Sequence, residues 1–186
     1  LADLLALGRR GTPRLAVVRL TEVFRQARAS LIVTGAHDVL AGRDPHTGSK
    51  GQDADLFMVE RDEPAACLEV PKELVRRRIP ARFGLDPLAD VQVLTPMHKG
   101  LLGAANLNRE LQQLLNPGPS EGGLRYRVGD KVMQIRNDHE RDVFNGDIGL
   151  ITEVDTESGC LRVDMNGTSV VYEGDQREQL TLAYAI

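Results

Sequence analysis

At 186 residues the chain has room for one sizeable domain, or for one domain and a small barrel, and 41% hydrophobic residues supply a core for either. No apolar run approaches bilayer length, there is no secretory pattern at the N-terminus, and Cys67 and Cys160 show neither metal-ligand spacing nor an arguable disulfide. A cytoplasmic protein without a membrane partner is therefore expected. The formal charge of −4 argues against indiscriminate coating of nucleic acid, but it averages a gradient: residues 1–30 carry +4, residues 31–136 balance at 14 charges of each sign, and residues 137–186 carry −8.

In chain order, residues 19–24 read as a buried strand edge. Residues 30–41 read as a helix with apolar Ile32, Ala36, Val39 and Leu40, stopped by Gly42. The Gly-, Asp- and Pro-rich residues 42–55 predict an exposed, mobile loop, and residues 56–59 a strand. Asp62, Glu63 and Pro64 mark a helix start, Pro71 is expected to kink or divide that helix, and Pro80 to end it. Residues 91–94 form an apolar strand running into a Gly-punctuated loop. The following helix places Leu107, Leu111, Leu114 and Leu115 on a core face. This alternation predicts a parallel α/β sheet. After Pro117 and the linker PGPSEGG the texture becomes all-β, with short strands at 131–135, 148–154, 160–165 and 169–172 separated by NDHERD, DTESG and NG. Residues 179–186 look like a strand returning to the parent sheet, and no internal repeat is present.

Three separated motifs carry more than architecture. They are RLTEVFRQARASLIVTGAH at 19–37, VQVLTPMHKGLLGAANLNRELQQLLNP at 91–117, and GDKVMQIRND at 129–138 followed by VFNGDIG at 143–149. The second is a strand-to-helix crossover of the type that faces ligands at the carboxyl ends of strands, where free N–H groups at a helix start suit phosphate oxygens. Together, and in this order, the motifs resemble the RecD-type helicases of superfamily 1, relatives of the exonuclease V alpha subunit, over nearly the whole chain.

That resemblance implies an α/β fold: a partial RecA-like parallel sheet of a second helicase motor domain in residues 1–126, an inserted small SH3-like β-barrel with its junction in 127–178, and a return strand into the motor domain in 179–186. It implies a fragment of an ATP-dependent DNA helicase that moves 5′ to 3′ on single-stranded DNA in repair or recombination. No GxxxxGK[ST] occurs. ATP and Mg²⁺ are therefore expected to bind in the full-length enzyme, mainly to a preceding motor domain, and neither to bind tightly to this segment, which is expected to be inactive alone. The sequence at both termini reads as the interior of a longer enzyme. The implied partners are single-stranded DNA, the N-terminal motor domain of the same chain, and subunits of a nuclease complex. A different class of reading remains open, a non-catalytic nucleic-acid or protein-binding module built on the SH3-like barrel.

The resemblance makes Arg25 the arginine that reaches the γ-phosphate of ATP, with Gln26 helping to position nucleotide; phosphoryl transfer spreads charge that a rigid guanidinium stabilises. Without it, Arg25 reads as a structural partner of Glu22. Thr95, Pro96, Met97, Lys99 and Gly100 are expected to grip a single-stranded DNA backbone, assisted by Asn106 and Asn108 at the helix start, and Arg136, Asn137 and Asn145 are further DNA-contact candidates. Asn145-Gly146 reads as a hairpin turn with positive φ at both residues. Asp130 and Asp147 are expected to cap turns, Arg76, Arg77 and Arg78 to form a solvated helix end, and His37, His46, His98 and His139 show no metal-ligand spacing.

Overall fold

The structure is a computed structural model describing residues 30–49, 54–119 and 123–186, and Ser30 starts the first helix among them. The Ser30 hydroxyl accepts the Ile32 amide at 3.2 Å and opens α1 (Leu31–Leu40), and Gly42, at φ 73°, follows its end in the left-handed region that favours glycine. The expected apolar face is not the buried one: Ile32, Val39 and Leu40 are exposed, while Gly35 and Asp38 are buried. Asp38 explains the following loop. Its carboxylate takes the Arg43 guanidinium at 2.7 Å and faces the His46 ring at 3.2 Å, and these bonds, Arg43 first, hold it below the usual carboxylate range. Residues 56–59, expected to be a strand, form none. Phe57, Met58 and Val59 are exposed.

The chain divides into two units, residues 1–60 and 61–186. In the second, Pro64 occupies the first turn of α2 (Pro64–Glu73), where its missing N–H costs nothing. Pro71, expected to kink or divide that helix, lies inside α2, which runs unbroken past it to Glu73. The next turn, Leu74–Arg78, widens to π geometry, with the Ile79 amide reaching back to the Leu74 carbonyl. Pro80, expected to stop the helix, instead sits in the first turn of α3 (Ile79–Phe83), which ends at Gly84 with φ 69°. A wide turn ahead of a proline gives its ring a place that a regular α-turn denies it. Arg76, Arg77 and Arg78 are all exposed. The helix after the Gly-punctuated loop is α4 (Ala104–Leu115).

The β region is a five-stranded antiparallel sheet: β1 (Lys131–Gln134), β2 (Ile148–Val154), β3 (Leu161–Met165), β4 (Thr168–Tyr172) and β5 (Leu180–Leu182), in the order β4-β3-β2-β1-β5. A 3₁₀ turn, Gly174–Gln179, leads into β5, which crosses back to pair with β1. The register shifts between Ile151 and Glu153, a bulge that lets the long β2 bend. Inward residues alternate along β3 (Leu161, Val163, Met165) and meet Val132, Ile151, Val170, Tyr172 and Leu180 in one core. A second core joins Leu68, Leu107, Leu111, Tyr184 and Ala185.

The parallel sheet is not seen. Among the described residues its trace is one bridge, Val93 opposite Ala185, flanked by Ile186 N–H to Val93 O (3.1 Å) and Thr95 N–H to Ile186 O (2.8 Å). Residues 91–94 thus contribute a single rung. Residues 179–186 do two things: their start joins β1 of the antiparallel sheet, and their end meets Val93 in parallel.

All three tyrosines, Tyr126, Tyr172 and Tyr184, are buried, and burial pushes each hydroxyl above its ordinary value, Tyr172 to about 12. A raised phenol pKa means the native chain holds protons that the unfolded chain releases near 10, so stability is full below pH 10 and falls as pH climbs beyond it. Absorbance at 295 nm during alkaline titration is expected to rise only together with loss of the circular dichroism signal. Tyrosinate appearing near pH 10 in a folded chain would contradict this burial.

Candidate nucleic-acid interface

The loop between Val93 and α4 is wound tightly by its own hydrogen bonds. Ala104 N–H bonds Met97 O at 2.8 Å and Ala105 N–H bonds His98 O at 3.3 Å, so two of the first helical amides are taken by the loop itself and not left for phosphate. Gly103 is needed for close approach, since a Cβ there would lie 2.6 Å from the Lys99 carbonyl. The Thr95 hydroxyl donates to Leu102 O at 2.8 Å, and Asn106 Nδ2 donates to Leu101 O at 2.8 Å. What the loop turns outward is Pro96, Met97, His98, Lys99 and Gly100, all exposed. Lys99 makes no ion pair among the described residues.

Asn108 is not part of that outward set. It is buried, its Nδ2 donating to Ala185 O (2.8 Å) and its Oδ1 accepting Ala185 N–H (2.9 Å). One helical turn on, Gln112 Nε2 donates to Arg125 O (3.1 Å) and to Asp130 Oδ2 (2.6 Å), and one turn further Asn116 Nδ2 donates to Val128 O (3.0 Å) and Asp130 Oδ1 (2.8 Å). Asp130 is fully buried and also accepts Arg127 N–H at 2.8 Å and Tyr184 O–H at 2.8 Å. Besides capping its own turn through Arg127 N–H, as expected, it gathers donors from α4 and its C-cap and from Tyr184, four in all. Sequence reasoning missed this ladder. Its signal was three carboxamides at i, i+4 and i+8 beside the leucine stripe, a spacing that puts them on one face. Two further ties cross the same seam, Lys131 Nζ to Val91 O (3.0 Å) and Gln92 Nε2 to Ala183 O (3.1 Å); burial holds the Lys131 amine below its ordinary pKa.

The second predicted cluster does come together. Arg136 and Asn137 leave β1 exposed, and Asn137 Oδ1 accepts Asn145 N–H at 2.9 Å. Asn145-Gly146 is not the turn expected: only Gly146 has positive φ (98°), and Asp147 N–H closes the turn onto Phe144 O at 3.0 Å. The turn with both φ positive is Asn166-Gly167 (53° and 89°), between the paired ends Met165 and Thr168 of β3 and β4. The structure does not merge the two clusters. One lies at the Gln179 end of the return strand, beside Ile135, and the other at the Ile186 end, beside Thr95. At ~3.3 Å per residue that run spans at most about 23 Å. Arg25 and Gln26 lie outside the described residues.

A family model for the SH3 domain of ATP-dependent RecD-like DNA helicases matches residues 107–165, from within α4 to the end of β3. The chain is 37% identical over 187 aligned residues to the ATP-dependent RecD2 DNA helicase of Deinococcus radiodurans, across 95% of this chain and 24% of that protein. The chain is RecD-like. It spans about a quarter of the length of that curated relative. Among solved structures, the Pif1 helicase from Bacteroides in complex with ADP-AlF3 and single-stranded DNA aligns with 91% of the RecD-like chain and 42% of its own, at 20% identity and TM-score 0.51, a likeness of fold. Among the described residues, no helix of the RecD-like chain is long and apolar enough to cross a membrane.

Proposed function

We propose that the chain is part of an ATP-dependent DNA helicase, its second RecA-like motor domain with an SH3-like insertion, moving 5′ to 3′ on single-stranded DNA in repair or recombination. The observation that carries this is 37% identity to a DNA helicase running through 95% of the chain, including both the 95–103 loop and the barrel. In this reading ATP and Mg²⁺ bind mainly to a preceding motor domain, and Arg25, with Gln26 beside it, completes the site. The outward side of the loop, Lys99 above all, takes DNA phosphates. Arg136, Asn137 and Asn145 meet the strand further along, and closure of the motor cleft shifts the loop's grip. Assembly with nuclease subunits fits the same reading.

The internal bond of Thr95 separates two effects. In the full-length protein Lys99→Ala is expected to reduce the log–log salt slope of single-strand binding by roughly 0.7, one phosphate contact. Thr95→Ala is expected to weaken binding by loosening the loop while leaving the slope alone. Fluorescence anisotropy on mixed-sequence oligonucleotides at several salt concentrations measures both, with an Arg77→Ala/Arg78→Ala double variant as the control of smaller effect. If Lys99→Ala binds as the parent does and the arginine variant fails, the DNA lies on the other face.

A further inference from the structure

Asp138 and Val143 pair across a short lobe, Asp138 N–H to Val143 O at 2.7 Å and Val143 N–H to Asp138 O at 3.1 Å, and Val143 points into the core. Its neighbour Phe144 therefore points out, and 40% of it is exposed. An aromatic ring on a polar lobe is held there at a cost in hydration, yet the backbone carrying it is firmly set. Phe144 N–H donates to the Asp147 carboxylate at 2.7 Å, and its carbonyl accepts Asp147 N–H. Arg141 anchors the lobe to the barrel, with two bonds to Asp138 (2.9 and 2.7 Å), one to Val171 O (3.2 Å), one to Gln179 Oε1 (2.9 Å), and its guanidinium 4.6 Å above the Tyr172 ring. The His139 ring meets Phe144 edge-on, centroids 5.7 Å apart at 72°. Beside this pair stand the exposed Arg136, Asn137 and Asn145.

The geometry points to Phe144, edged by His139, as a stacking platform for an unpaired nucleobase of a single DNA strand, an inference that rests on the helicase reading above. A preset aromatic face binds any base sequence-tolerantly, the neighbouring carboxamides of Asn137 and Asn145 offer donors and acceptors to a base edge, and Arg136 supplies one charge for the adjoining phosphate. The lobe also exposes Glu140 and Asp142, which oppose a phosphate-dominated contact here. Stacking, which depends little on salt, is the interaction that survives such a field. The Lys99 loop and the Phe144 lobe thus differ in kind, one holding backbone and the other a base.

The test uses the full-length protein and single-stranded oligonucleotides carrying 2-aminopurine at successive positions. In the parent, one position is expected to lose fluorescence on binding through stacking. In Phe144→Ala that quenching disappears and affinity falls about 5- to 100-fold with an unchanged salt slope. Phe144→Trp restores both. Phe144→Leu, which keeps apolar bulk without a π-face, behaves like the alanine variant. Equal melting temperatures confirm intact folds, as expected for an exposed side chain. Parent-like binding and quenching in Phe144→Ala, or full rescue by leucine, overturns the stacking role while leaving the helicase reading in place. Failure of the parent itself to bind single strands overturns both.

Discussion

Asp130→Ala is expected to destabilise residues 61–186 by about 3–5 kcal/mol, lowering the melting temperature by about 10 °C or more. The carboxylate is completely buried and accepts from Arg127 N–H, Tyr184 O–H, Gln112 Nε2 and Asn116 Nδ2. Gln112 and Asn116 keep their second acceptors, the carbonyls of Arg125 and Val128, but the buried Tyr184 hydroxyl and the Arg127 amide lose the carboxylate they donate to. Leaving buried donors unmet is costlier than never having had the bond. Asp130→Asn keeps one acceptor oxygen and turns an NH₂ toward donors, so it should lie between the parent and the alanine variant. Chemical and thermal denaturation followed by circular dichroism measure both. The functional consequence follows from position: the same carboxylate joins α4, the segment leading into β1 and the Tyr184 end of the return strand. DNA-stimulated turnover and unwinding should therefore fall even at temperatures where the variant stays folded. A melting temperature within a degree or two of the parent would show that the seam is held by its leucines alone.

Arg25→Ala in the full-length protein is expected to lower kcat for ATP hydrolysis by ~10² or more while leaving nucleotide affinity nearly unchanged. Negative charge on the transferring phosphoryl group is spread widest in the transition state, so a guanidinium aimed at it contributes most there and little in the ground state. Arg25→Lys is expected to be almost as poor, because a compact ammonium does not reproduce the planar fork. Steady-state hydrolysis at saturating single-stranded DNA, with nucleotide binding measured separately, separates kcat from affinity. Near-normal turnover in either variant would make Arg25 a structural residue paired with Glu22.

The parts of the fold that were legible in advance are those whose cause is local. Gly42 after the helical run, Pro64 in a first turn, and the DTESG and NG turns around residues 160–165 each fix backbone within a few residues of themselves, and α1, α2 and β3 fall where these signals put them. Within the candidate interface the same held for exposure: Pro96, Met97, Lys99 and Gly100 sit on a Gly-rich loop and stay outside. The misreadings share another origin. Pro80 was a stop signal only on the assumption of a regular α-turn before it, and Leu74–Arg78 supplies a wider one. Residues 56–59 have strand-like composition but form no strand, since composition by itself does not supply the neighbouring backbone a strand needs.

By itself, then, the sequence determined the RecD-like character of the chain, its helix starts and most of its strand boundaries, because caps, turn residues and alternation act over one to four positions. Tertiary structure alone decided what Asn108, Gln112 and Asp130 do, and that residues 179–186 serve β1 and Val93 in turn. Each of those outcomes depends on a partner far along the chain. Asn108 meets Ala185 across 77 positions, and a carboxamide beside a leucine stripe looks the same in sequence whether it faces DNA or a buried backbone amide.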